Sequence, residues 1–141
     1  MTRARRRQAR EAAYMVALRG VHEGAEVAER LQIVDRGTYK QRFKARRTRT
    51  GAELRNDAPH ASVIEWGRRP GAARPPLAPI IGWVRRKLGI AGPAGRSLAY
   101  VIAQAIGARG LPAHAVFRRH LSPKLTQWYR EELAEIVRSK A

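Results

Sequence analysis

Residues 67 to 76 read Gly-Arg-Arg-Pro-Gly-Ala-Ala-Arg-Pro-Pro. Proline lacks the amide hydrogen that helix and sheet ladders both use, and its ring holds φ at roughly −65°, so a stretch with prolines at 70, 75 and 76 sustains neither. It must be a loop. Two further breaks follow, Gly89-Ile90-Ala91-Gly92-Pro93-Ala94-Gly95 and Gly110-Leu111-Pro112. These interruptions cut the chain into segments that can each be read by its own periodicity.

Before the first loop, Tyr14, Leu18, Val21, Ala25 and Ala28 recur at alternating steps of four and three, which predicts an amphipathic helix from about Arg5 to Leu31. Gly20 and Gly24 interrupt it and leave two readings open. Each weakens a helix by roughly 1 kcal/mol relative to alanine, giving a loose or bent element. Their spacing also puts two positions without side chains on one face, where another backbone could approach closely. Asp35-Arg36-Gly37-Thr38 reads as a turn. Tyr39 to Arg49 then alternates weakly and predicts a strand, with Tyr39, Phe43 and Ala45 as its apolar contribution, ending in an Arg-Thr-Arg-Thr-Gly turn. Gly51–Leu54 begins a second strand and His60–Trp66 a third.

Beyond residue 76, Leu77, Ile80, Ile81, Val84 and Leu88 mark a helix in which Pro79 falls in the tolerant first turn. Leu98, Val101, Ile102, Ala105 and Ile106 mark another over Ser97–Ala108. Leu125, Trp128, Tyr129, Leu133, Ile136 and Val137 mark a closing helix over Pro123–Ser139, with Ser122 as its expected cap. The order of helix, short strands and then helices predicts an α+β fold, a small antiparallel sheet packed by a long N-terminal helix and C-terminal helices. With 141 residues, one domain spanning 1–141 is expected, carrying a basic N-terminal arm over residues 1–10.

Composition matters chiefly through its charge. Apolar residues make up 44% and charged ones 28%, so a core is expected, but 29 Lys and Arg against 11 Asp and Glu leave a net charge of +18. That surplus attracts polyanions and repels other copies of the chain unless something neutralises it. Arg3, Arg5, Arg6, Arg7 and Arg10 form one basic cluster, and Lys40, Arg42, Lys44, Arg46, Arg47 and Arg49 a second. Such clusters suit a phosphate backbone or an acidic partner, and equally a solvated surface. No apolar run is long enough for a membrane span, and no secretory apolar segment follows the first arginines.

Known catalytic patterns do not emerge. His22, His60, His114 and His120 form no i, i+4 pair, which argues against a metal site, and cysteine does not occur. The serines lack a nucleophile-elbow glycine frame. Asp57 and Glu65 are the one carboxylate pair expected outside helices, and Gly67 and Arg68 stand where a metal-dependent nuclease would want a lysine. No cofactor is expected.

One stretch nevertheless has a distinctive pattern. Asp35, Gly37 and Tyr39 stand at a turn, Asn56 and His60-Ala61 precede Glu65-Trp66-Gly67, and Pro70 with Pro75-Pro76 forms the loop. Further on come Trp83-Val84-Arg85-Arg86-Lys87 and Ile106-Gly107-Ala108-Arg109-Gly110-Leu111. Over about residues 30 to 125 this resembles the phage neck and tail-completion proteins, small virion proteins that join head to tail in long-tailed phages. His60 stands where that family's pattern has tyrosine, and Arg36 where its turn has threonine.

The resemblance implies a structural, non-enzymatic role in the virion, at the neck between head and tail, after assembly in the host cytoplasm. It implies a homo-oligomeric ring, six subunits being the expected number, bounded by head-connector and tail-tube proteins. The two basic clusters would then face those partners or the packaged DNA. Glu65 would be a structural acid, accepting backbone N–H bonds of the following turn or pairing with Arg68, and Gly67 would supply a backbone conformation that other residues resist. The competing expectation is a sequence-nonspecific nucleic-acid-binding protein.

Overall fold

A computed structural model describes residues 1–33 and 38–139; the predicted turn at Asp35, Arg36 and Gly37 lies outside the described residues. The elements are α1 (Arg3–Arg30), β1 (Phe43–Arg47), β2 (Ala52–Asn56), α2 (Ala61–Trp66), α3 (Leu77–Leu88), α4 (Gly92–Arg109) and α5 (Ser122–Arg138). The fold is α+β, with a two-stranded antiparallel sheet and a long N-terminal helix. Its contacts divide into two compact units, one of Met1–Ala61 with Ala115–Ala141 and one of Ser62–His114, where length alone suggests a single folding unit.

In the first unit, α1 packs against both strands and α5. Its buried face consists of Ala12, Val16, Ala17, Gly20, Gly24, Val27 and Ala28. This corrects the predicted stripe: Leu18 is exposed and Tyr14, Val21 and Ala25 lie at its margins. The cause is steric. A Cβ at Gly24 would stand 2.7 Å from Phe43 Cε1, and one at Gly20 would stand 2.8 Å from both Leu54 Cδ2 and Leu125 Cδ2. The two glycines are therefore sockets for side chains of the hairpin and α5, and the helix runs through them unbroken. The ring of Phe43 also meets Tyr39 edge-on at 5.1 Å and Phe117 at 5.8 Å, so one aromatic cluster anchors the hairpin.

The hairpin register runs from Phe43 opposite Asn56 to Arg47 opposite Ala52. The Thr48 N–H donates to the Gly51 carbonyl at 2.9 Å, and the Gly51 N–H donates to Thr48 Oγ1 at 3.1 Å, closing the turn. Tyr39 is not in the strand; a short 3-10 turn, Lys40–Arg42, stands between it and β1. The chain enters α5 through a π-helical turn, Val116–Leu121, and Ser122 is the first residue of the helix, not its cap. Of the face predicted for α5, Val137 is exposed.

The second unit is built on α3 packed against α4. The expected third strand is α2 instead. Asn56 Oδ1 accepts the Ala58 N–H at 2.9 Å and the Ala61 N–H reaches the Ala58 carbonyl at 3.1 Å, which turns the chain sharply after β2. Ile64 and Glu65 are both buried, although neighbours in a strand point to opposite faces. α4 begins five residues before the expected Ser97. Pro93 sits in its first turn, where a missing N–H is harmless, and Gly95 admits the Ile90 carbonyl, which a Cβ there would meet at 2.7 Å. The buried face of α4 is Gly95, Ala99, Ala103 and Gly107, at steps of four. Val101, expected inside, is 58% exposed. On α3, Val84 is fully buried and Leu88 turns outward.

Candidate functional site

The residues of the distinctive pattern gather at two places. In the first unit, Asn56 Nδ2 donates to the Tyr39 carbonyl at 2.7 Å while its Oδ1 takes the Ala58 N–H. One carboxamide thus ties the segment before β1 to the segment after β2. The Tyr39 ring is buried, with the His60 ring tilted over it at 6.5 Å. Asn56, Tyr39 and His60 therefore act as a clasp on the open end of the hairpin, and Ala61 follows directly at the start of α2.

In the second unit, the segment after α2 pairs with the segment after α4. The Arg68 N–H donates to the Leu111 carbonyl at 3.0 Å and the Leu111 N–H donates back to Arg68 at 2.9 Å. The His114 N–H reaches the Ile64 carbonyl at 2.8 Å and the Gly71 N–H reaches the Gly107 carbonyl at 2.8 Å. Glycines stand on both sides of this bridge. Gly67 has a φ of 71°, and a Cβ there would lie 2.4 Å from the Leu111 oxygen; Gly110 has a φ of 74°, and a Cβ would lie 2.2 Å from the Arg68 oxygen. A side chain at either position would meet backbone, which cannot swing aside. Glu65 is 8% exposed and Trp66, beside it, is 65% exposed. The Arg68 guanidinium donates to the Ala73 carbonyl at 2.6 Å, bracing the loop around Pro70 from within.

The two basic clusters differ in how far their charge is neutralised. On the hairpin, Lys44 meets Asp57 at 2.7 Å, with Arg42 at 3.7 Å from the same carboxylate. Arg46 meets Glu53 at 2.8 Å, Arg47 meets Glu11 at 3.1 Å, and Lys40 pairs with Glu29. Hydrogen bonding from Arg47, reinforced by its charge, holds the Glu11 carboxyl below its ordinary range and raises the Arg47 guanidinium in turn. Hydrogen bonding from Lys44 does the same for Asp57. Arg47 also lies 3.9 Å from the centre of the Tyr14 ring.

Arg3, Arg5, Arg6 and Arg7 belong to the first turns of α1, so the expected arm is helical from Arg3 onward. Thr2 Oγ1 caps them through the Arg5 N–H at 3.2 Å, and the first turn holds no acid. Arg10 crosses to the hairpin and donates to the Arg49 carbonyl at 3.2 Å. The second cluster is therefore largely satisfied from within, and positive charge is concentrated at the start of α1 and the hairpin tip. Sequence reading placed both clusters but could not pair them, because the acids involved lie up to 36 residues away, as with Glu11 and Arg47.

His22 pairs with Glu26 at 3.1 Å on the exposed side of α1. Among the described residues, no group of three or more histidines and carboxylates is placed to hold a metal ion, and no helix is long and apolar enough to cross a membrane. Comparison with known protein families, with characterised proteins and with solved structures finds no match to this chain.

Proposed function

We propose that the chain is a structural virion protein of a tailed bacteriophage, one subunit of an oligomeric ring that joins the head connector to the tail. The observation that carries this reading is the Arg68–Leu111 bridge. It joins Glu65-Trp66-Gly67 to Ile106–Leu111, two of the stretches through which the sequence resembles neck and tail-completion proteins, although some forty residues of sequence lie between them. Glu65 serves as a buried anchor at this joint, with no part in chemistry.

The outward apolar side chains support an assembling role. Trp66, Tyr100 and Val101 in the second unit, and Met15, Leu18 and Val137 in the first, are all exposed. Apolar side chains of this size left outside are available to be buried against partners. A closed ring requires two different surfaces on each subunit to meet, and exposed apolar side chains in both units offer contact points for them. The net charge of +18 then favours acidic neighbours on the adjoining connector and tail rings.

A specific feature favours the second reading, sequence-nonspecific binding of nucleic acid: the arginines at the start of α1 project from a helix end that is itself partially positive. Light scattering at moderate and high salt, paired with a duplex titration, separates the two. The ring reading expects a ring-sized particle, or a monomer recruited by tails, with weak duplex binding. A stable monomer or dimer whose tight duplex affinity falls steeply with salt would replace it with the nucleic-acid reading.

A further inference from the structure

We infer that the groove between α1, the β1–β2 hairpin and α5 is a docking site for an acidic, amphipathic segment of a partner protein. The groove encloses about 490 Å³, within the range of roughly 300–1,000 Å³ that holds several apolar groups. Its floor is Ala13, Leu54, Leu125 and Tyr129, all half-buried in the free chain. A second hollow of about 510 Å³ continues it past Thr50 and Tyr129 toward the start of α1.

Along this path the rim is basic. Arg130 lines the first hollow, and Arg6, Arg10 and Arg49 line the second. None of these four forms an ion pair among the described residues, whereas Arg46, Arg47 and Lys44 on the same hairpin each have an internal acid. The hydrogen bond from Arg10 to the Arg49 carbonyl ties the hairpin tip to α1 and so links the two basic sides of the path. Apolar contact along the floor and carboxylates along the rim are together the signature of an acidic amphipathic segment.

Other occupants fit less well. A second copy of this chain brings a net +18 with it, which adds nothing to the attraction of the arginine rim, whereas an acidic segment supplies the opposite charge directly. Duplex DNA would engage the rim through its phosphates yet leave the apolar floor wet. The inference does not rest on the ring reading, since any protein bearing such a segment would satisfy the groove.

The test uses the full chain and fluorescence anisotropy with three labelled probes: a synthetic peptide alternating glutamate and leucine, its glutamine–leucine counterpart, and a short DNA duplex. The acidic peptide is expected to bind at least about tenfold more tightly than the glutamine peptide, and Arg49→Glu and Arg130→Glu each to weaken it by about tenfold. Thr126→Trp, at an exposed position on the mouth of the groove, is expected to block the peptide while leaving circular dichroism and thermal unfolding unchanged. Equal binding of the two peptides, binding unaffected by Thr126→Trp, or no peptide binding would overturn the inference. A duplex that displaces the acidic peptide and loses affinity in Arg49→Glu would also overturn it and assign the rim to nucleic acid.

Discussion

Each unit depends on a pair of glycines, for different physical reasons. Gly20 and Gly24 sit within α1 at ordinary helical angles and are needed for room alone: what fills the space is Phe43, Leu54 and Leu125, side chains with rotamers to try. Gly67 and Gly110 combine positive φ with backbone carbonyls at 2.4 and 2.2 Å from where a Cβ would be. Crowding by a side chain can relax, but crowding by backbone within a hydrogen-bonded bridge cannot. The second unit should therefore tolerate far less change at its glycines than the first.

The largest effect is expected at the bridge. Gly110→Ala, or Gly67→Ala, should cost about 3–5 kcal/mol, because backbone strain and steric displacement add. Chemical denaturation checks this, and a loss under about 1 kcal/mol would mean that Arg68 and Leu111 are not paired as described. Gly24→Ala comes next. Its methyl meets the face of Phe43 while the helix gains up to about 1 kcal/mol of propensity, leaving a net loss of about 1–2 kcal/mol. Combining it with Phe43→Leu should recover part of that loss, and strict additivity would disprove the socket.

Gly20→Ala is expected to fall within about 1 kcal/mol of wild type in either direction, since two leucine tips can give way and the propensity gain offsets the crowding. If it matches Gly24→Ala instead, Leu54 and Leu125 are as rigidly held as the aromatic ring, and the contrast between leucine tips and ring disappears.

The smallest effect concerns charge. The Asp57 carboxyl is held below its ordinary value chiefly by the Lys44 hydrogen bond, so it favours the folded state above the normal carboxylate range. That contribution is lost as pH falls through the lowered folded value. Asp57→Asn should thus be slightly less stable than wild type near neutrality and equal to it in strong acid, as thermal melts across pH will show. Glu11→Gln should behave likewise, because Arg47 lowers Glu11 in the same sense. Exposed pairs contribute little, and added salt should shrink both differences.

Much of this architecture was legible along the chain. The starts and stops of α3, the hairpin and the long first helix follow from proline, glycine and apolar spacing within a few residues. The inward faces of α1 and α4 were not legible. Counting apolar residues selects Leu18 and Val101, yet the molecule buries Gly20, Gly24, Ala99 and Ala103 and leaves the larger side chains outside. Small residues carry almost no hydrophobic signal; their value lies in the shape they leave for a neighbour. At the candidate site, Gly67 carried a clear local signal. Its partner Gly110 was visible only as a break, because the Arg68–Leu111 pairing depends on how distant segments meet.

By itself the sequence determined where regular structure must stop, that the chain would be α+β, and that its surface would be strongly positive, because these follow from short-range backbone chemistry and simple addition of charge. Only tertiary structure decided that residues 61 to 66 are helical, which helix faces turn inward, which arginines have internal acids, and that two distant glycines close one bridge. Those outcomes depend on the fit between segments far apart in the chain, and no local preference of a residue encodes the shape of what it will meet.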